Sequence, residues 1–262
     1  IDPRAALSVM REVISMCRAV QQKPRVAFLG PEGSYTQAAA LRALELGVDF
    51  VPCADPREVF LSLQRKEADL GVVPVENTVE GVVYTTLDGF AESGSDLKIL
   101  REVHLPVRHV LAGRMGDLAS VREVRSHPQA LAQCEQYLTR RGLEAVSNVD
   151  TAGSARELAE HPEPETGVIA SALAAELYGL EILDAGIEDL PSNYTRFFVL
   201  GFEDPPRAEH CKTSLVFTTR HTPGSLYHSL GEFAQRGINL TKIESRPRRN
   251  LPWQYLFYLD FE

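Results

Sequence analysis

Residues 25–36 read RVAFLGPEGSYT. The apolar run Val26–Leu29 leads through Gly30-Pro31-Glu32-Gly33 into a helical run, Tyr35–Leu46, with Ser34 placed as its N-cap. Working outward, strand Phe50–Pro52 precedes helix Pro56–Glu67, and strand Leu70–Pro74 runs into Val75-Glu76-Asn77 and a less regular segment. A strand around Leu97–Leu105 follows, and then the order returns. Strand Val121–Arg125 leads through Ser126-His127-Pro128 into helix Gln129–Arg141, strand Glu144–Ser147 into helix Gly153–Glu160, and strand Gly167–Ala170 into helix Ala172–Tyr178. This is a weak βαβαβα repeat. It predicts an α/β chain with parallel sheets covered by helices, in two lobes around a cleft. Strand Arg196–Gly201 is expected to return to the first lobe, the alternative being one continuous sheet.

The flanks read differently. Residues 4–21 carry Leu7, Met10, Val13, Ile14 and Cys17 at helical spacing, ended by Pro24. One amphipathic helix is not a domain, so its apolar face is expected against the α/β domain or a partner subunit. Pro205-Pro206 marks a linker, after which strand Ser214–Thr218, helix Gly224–Arg236, strand Leu240–Arg246 and strand Gln254–Glu262 form the first part of a βαββ unit. The first residue is not Met and the last strand-like run stops at Glu262, which predicts that both ends are cut.

Composition narrows the function. A net charge of -9 argues against general attraction to nucleic acid or an anionic membrane. Cys17, Cys53, Cys134 and Cys211 form no CxxC pair and read as reduced thiols of a cytoplasmic protein. No apolar run is long enough for a spanning helix.

Four polar clusters fall at strand ends, where open α/β sheets bind ligands. Gly30–Thr36 offers a helix start to an anion, and without GxGxxG it does not suit a dinucleotide. Ser126-His127-Pro128-Gln129 repeats the geometry, with Gln133 seven residues on from Ser126 and on the same helix face. Pro74–Gly81 sets Glu76, Asn77 and Thr78 after an apolar strand, and Asn193-Tyr194-Thr195-Arg196-Phe197 precedes another. Each cluster alone also reads as an ordinary cap, turn or strand start. Together they describe a site of hydroxyls, amides and helix N-termini, without a metal set or a Ser–His–Asp order. That site suits a small, multiply anionic organic molecule.

GPEGSYT (30–36), PVENTVEG (74–81), SHPQALAQC (126–134) and NYTRF (193–197) resemble, in order, the motifs of prephenate dehydratase. GSLY (224–227) and NLTKIESRP (239–247) resemble the phenylalanine-binding ACT regulatory domain, with Ser225 where that family more often has Ala. Residues 4–22 resemble the last helix of a chorismate mutase domain, with Cys17 in place of a Ser and Gln21 at the Gln position.

The resemblance implies a two-lobed fold like a type 2 periplasmic binding protein at 25–203, with lobes of 25–104 plus 190–203 and of 105–189. A partial ferredoxin-like α+β ACT domain at 211–262 and a mutase remnant at 1–24 complete the organisation. It implies a cytoplasmic homodimer or homotetramer that uses no cofactor, takes prephenate as substrate and L-phenylalanine as effector, and makes phenylpyruvate. It assigns the leaving-group role to Thr195, aligns Asn77, Ser126 and Gln133 with catalytic-site residues, and makes Arg196 the nearest permanent cation. Ser34, Tyr35, Thr36, Glu76, Thr78, His127 and Phe197 are the further candidates for substrate contact. Gly224, Ser225, Leu226, Asn239, Leu240, Glu244, Ser245 and Arg246 are those for phenylalanine. Arogenate dehydratase is an alternative, and a two-lobed binding or sensor protein is the reading from another class.

Overall fold

The computed structural model describes residues 7, 9–14, 17, 23–44, 47–94, 96–114, 118–205, 211–248, 251 and 253–262, which fall into two compact units, 1–203 and 204–262.

In the first unit, strands β1 (Arg25–Leu29), β2 (Asp49–Cys53), β3 (Leu70–Asn77), β4 (Gly81–Val82), β5 (Lys98–Pro106) and β11 (Tyr194–Gly201) make one sheet, ordered β2-β1-β3-β11-β5 with β4 on β3. A second sheet holds β6 (Val110–Gly113), β7 (Glu123–Ser126), β8 (Glu144–Ser147), β9 (Thr166–Ala170) and β10 (Glu181–Ala185), ordered β10-β6-β9-β7-β8. The chain passes between the sheets twice, through residues 107–109 and again through 186–193. This is the two-lobed arrangement of a type 2 periplasmic binding protein.

The helices are α1 (Tyr35–Ala43), α2 (Pro56–Gln64), α3 (Tyr84–Ser93), α4 (Pro128–Ala132), α5 (Glu135–Arg141), α6 (Thr151–Glu160) and α7 (Ala172–Leu177). Strand alternation distributes the core between them. Val26 and Phe28 face Ala39, Ala40 and Ala43 of α1, while Ala27 faces Val59, Phe60 and Leu63 of α2. In the second lobe Val168 and Ala170 pack with α6 and α7, and Val124 and Ile169 with α4 and α5. Each fully buried Val, Ile or Phe contributes about 1.5–3 kcal/mol.

Two sequence expectations need correction. The sheets are mixed, because β11 runs antiparallel to both β3 and β5, and β6 antiparallel to β9 and β10. Helix Gln129–Arg141 is two helices, with Gln133 as the C-cap of α4 and Cys134 as the N-cap of α5. Residues 7, 9–14 and 17 are helical as expected, and Leu7, Met10, Val13 and Ile14 are 49–64% exposed within the single chain, which leaves a partner subunit as the other expected cover of this face. Gln21 lies outside the described residues. Among the described residues no helix is long and apolar enough to cross a membrane.

The second unit is α+β. Strands β12 (Thr213–Thr218), β13 (Leu240–Pro247) and β14 (Tyr255–Phe261) form an antiparallel sheet ordered β12-β14-β13, joined from β12 to β13 by helix α8 (Ser225–Gln235). Phe233 of α8 packs on Phe261 with ring centroids 5.2 Å apart.

Candidate active site

A cavity of about 440 Å3 lies at the mouth of the two sheets, between the lobes. The first lobe lines it with Tyr35, Asn77, the 80–83 segment and Thr195; the second with His127, Gln129, Gln133 and the start of α6 at Asp150-Thr151. The crossings add Val107, His109 and Asn193.

Asn77 and Thr195 are direct partners across the antiparallel β3–β11 pairing, so their side chains share a face. Asn77 Oδ1 accepts from the backbone N–H groups of Val79 (2.8 Å) and Glu80 (2.9 Å). Its Nδ2 must therefore be the donor to Thr195 Oγ1 at 2.8 Å and to Asn193 Oδ1 at 2.7 Å. The tight turn after β3 thus fixes an amide orientation that purely local bonding would leave ambiguous. Asn193, 2% exposed, then donates from Nδ2 to Gln133 Oε1 at 3.1 Å. Gln133 Nε2 faces Glu80 Oε1 at 3.4 Å across the cleft.

Behind Gln133 sits His109, 2% exposed, its Nε2 at 2.9 Å from Gln133 Oε1 and its Nδ1 at 2.9 Å from the Tyr35 hydroxyl. That hydroxyl also lies 2.6 Å from the carbonyl of Arg108. Burial holds the His109 imidazole below its ordinary value, opposed by the Gln133 hydrogen bond and the charge of Glu188. Burial likewise raises the Tyr35 phenol well above its own, so both groups are neutral near pH 7. Glu188 accepts from the His109 backbone N–H at 3.0 Å and from Arg108 Nη1 at 2.6 Å, tying the two crossings together.

The other sequence-predicted residues separate. Asn77, Thr195, Gln133, Tyr35 and His127 line the cavity; Ser34, Thr36, Glu76, Thr78, Ser126, Arg196 and Phe197 do not. At Gly30–Thr36, the expected anion cradle, three of the N–H groups have partners within the protein: Gly30 N on the Cys53 carbonyl, Ser34 N on the Pro31 carbonyl, and Gly33 N. Gly33 N donates to Gln37 Oε1 at 2.6 Å, and Ser34 Oγ accepts from Gln37 N while donating to the Leu29 carbonyl. Thr36 is buried in the core.

Ser126 does not cap α4. Its hydroxyl is fully buried on the Ile169 carbonyl at 2.7 Å, and His127 Nδ1 caps by accepting from Gln129 N. Arg196 is not the expected cleft cation. Strand alternation turns it away from Thr195, onto Glu102 at 3.0 Å and Glu76 at 3.6 Å, over the Phe198 ring. Phe197 is core, and Thr78 bonds the Ser192 carbonyl. Among the described residues, none lining the cavity is Lys or Arg.

Sequence reasoning missed His109, Asn193 as a site residue, and the α6 start. His109 follows no motif; its only signal is an isolated polar ring just before an apolar strand.

In the second unit, Gly224 takes a positive φ of 80° as N-cap of α8, and the Ser225 and Thr222 hydroxyls are 2.7 Å apart. Leu226 continues α8; Asn239 accepts from Glu262 N, and Leu240 opens β13. On β13, Glu244 and Arg246 fall on one face and Ser245 on the other, opposite Tyr258, Leu256 and Phe257.

The family model for prephenate dehydratase matches residues 26–205. A bifunctional chorismate mutase/prephenate dehydratase of Aquifex aeolicus is 41% identical over 100% of this chain and 72% of its own length. The solved prephenate dehydratase of Arthrobacter aurescens in complex with L-Phe superposes with a TM-score of 0.81 at 34% identity, covering 90% of this chain and 80% of that one. A chain described as GqqA, a quorum quenching acylase, superposes with a TM-score of 0.83 at 34% identity, covering 91% of this chain and 87% of that one. With the family pattern running through both lobes and across the cleft, this chain belongs to the prephenate dehydratase family.

Proposed function

We propose that the cleft converts prephenate to phenylpyruvate. The carboxylate on the ring carbon leaves as CO2, its bonding electrons enter the ring, and the ring C–O bond breaks as the ring becomes aromatic. The departing hydroxide takes up a proton and leaves as water.

The observation that carries this reading is the Asn77–Thr195 bond. Because Asn77 Nδ2 donates to Thr195 Oγ1, the Thr195 proton is available to an acceptor in the cavity. Aimed at the ring oxygen, that hydroxyl stabilises charge that develops only as the C–O bond breaks. Hydrogen bonding and orientation suffice for the step, since aromatisation supplies the driving force and a Thr hydroxyl is a weak acid.

The substrate carboxylates would be met by the Gln133 amide and by His127. Arogenate is the second reading, and Glu80 and Asp150 on the cavity wall favour it: its ammonium would find carboxylates there.

The second unit is proposed as an ACT domain that binds phenylalanine and inhibits the cleft, in a cytoplasmic homodimer or homotetramer. The test of the catalytic reading is phenylpyruvate formation from prephenate and from arogenate. No turnover of either by the full chain overturns it.

A further inference from the structure

We infer that His109 is a positioning residue of this site: its ring locks the Gln133 amide so that the Gln133 N–H2 group, and not its oxygen, faces the anionic substrate. The inference rests on the dehydratase reading above.

Two backbone donors orient the whole series of amides. Val79 N and Glu80 N fix Asn77 Oδ1, so Asn77 Nδ2 faces Asn193, so Asn193 presents Oδ1 to Asn77 and Nδ2 to Gln133. Gln133 Oε1 is therefore the atom turned inward. His109 Nε2, 2.9 Å from that oxygen, must carry a hydrogen. In the neutral ring Nδ1 then carries no hydrogen and lies 2.9 Å from the Tyr35 hydroxyl, whose single proton it shares with the Arg108 carbonyl at 2.6 Å. The amide chain from Asn77 to Gln133 thus selects the Nε2–H tautomer.

The consequence falls on Gln133 Nε2. With Oε1 held by two donors, Asn193 and His109, the N–H2 group is aimed across the cleft, where it meets Glu80 Oε1 at 3.4 Å. An amide rotated by half a turn would set a carbonyl oxygen against a substrate carboxylate, which repels it. His109 acts through Gln133 and lies behind it, so its loss should weaken binding of ground state and transition state alike, which raises KM and spares kcat.

Two variants separate the ring nitrogens. His109→Gln keeps a donor near the Nε2 position; His109→Asn keeps one only near Nδ1. Steady-state kinetics on prephenate should give His109→Asn a KM raised roughly five- to tenfold, the scale of one net hydrogen bond, with kcat within about twofold of wild type. His109→Gln should recover most of that loss. In a Gln133→Ala background, His109→Asn should add nothing.

A fall in kcat without a rise in KM, equal behaviour of the Gln and Asn variants, or additive losses would each overturn the assignment. Ring 15N shifts of wild-type His109 test it without any variant having to fold: an Nε2–H tautomer supports it and an Nδ1–H tautomer overturns it. If wild type turns over neither prephenate nor arogenate, the proposed function itself fails, and this inference falls with it. Failure of the His109 variants alone leaves the function standing.

Discussion

Asn77 Nδ2 lies 2.8 Å from Thr195 Oγ1, and the two residues are direct partners across β3 and β11. Their relation is directional. The amide gives a hydrogen bond to the hydroxyl, so the hydroxyl can give its own onward.

Two substitutions exploit that direction. Thr195→Ala removes the donor and should lower kcat by roughly 10²–10³, the cost of one transition-state donor, with a smaller change in KM. Asn77→Asp replaces the amide donor with a carboxylate oxygen that accepts. Thr195 would then turn its proton toward residue 77, and kcat should fall even though Thr195 is intact. Initial rates on prephenate check both, with melting temperatures to establish folding. Near-normal kcat in a folded Thr195→Ala protein removes Thr195 from the mechanism.

Gly33→Ala should destabilise the first unit. Gly33 has a φ of +83°, and an added Cβ would stand 2.9 Å from the Cα and Cβ of Ala174 on the opposite lobe. Its carbonyl also accepts from Ser171 Oγ at 2.7 Å, and Tyr178 reaches the Glu32 carbonyl at 2.9 Å. The turn is a contact between lobes. A strained positive φ plus overpacking costs about 1–3 kcal/mol, which denaturant unfolding measures. An unchanged midpoint would mean that the lobes separate freely at this edge.

These residues show what was legible in the sequence. The βα repeat was, because its period is written in apolar residues, and so was the return of β11 to the first sheet. Strands β6 and β10 were not: VLAG and EILDA are short and flanked by polar segments, and only their pairing identifies them. The motifs located the cleft but not which side chains enter it. Arg196 follows Thr195 by one residue and therefore faces the other way, while Ser126 serves the sheet below. His109 belongs to no motif, because its role arises from meeting Gln133 and Tyr35 across distances of 24 and 74 residues.

Stability should fall on mild acidification partly through His109. Its folded value is pushed below the ordinary 6.5 by burial, while the unfolded chain keeps the ordinary one. As pH drops through about 6.5 the unfolded state takes up the proton first, so this contribution is full above that pH and is lost below it. The melting temperature should therefore decline more steeply from about pH 7 to about pH 5 in wild type than in His109→Gln. Parallel curves would show that the ring titrates alike in both states.

Phenylalanine sensing, if it uses the second unit, should depend on Ser245 more than on Glu244. The two alternate on β13 and face opposite sides of the sheet. Phe233 of α8 packs on Phe261, which places the helix on the face that Phe261 shares with Phe257, the partner of Ser245. Eight residues back along α8, about 12 Å at the helical rise, is Ser225. Four residues back along β14, about 13 Å at the strand rise, is Phe257. The helix start and Ser245 thus lie at the same end of the same face. An amino acid held by the N–H groups at Gly224-Ser225 can reach Ser245 and cannot reach Glu244. Titration of the full chain with phenylalanine should show half-inhibition shifted to higher concentration in Ser245→Ala, and nearly unmoved in Glu244→Ala. The reverse order would place the effector on the other face, and a wild type that ignores millimolar phenylalanine would leave this unit without a sensing role.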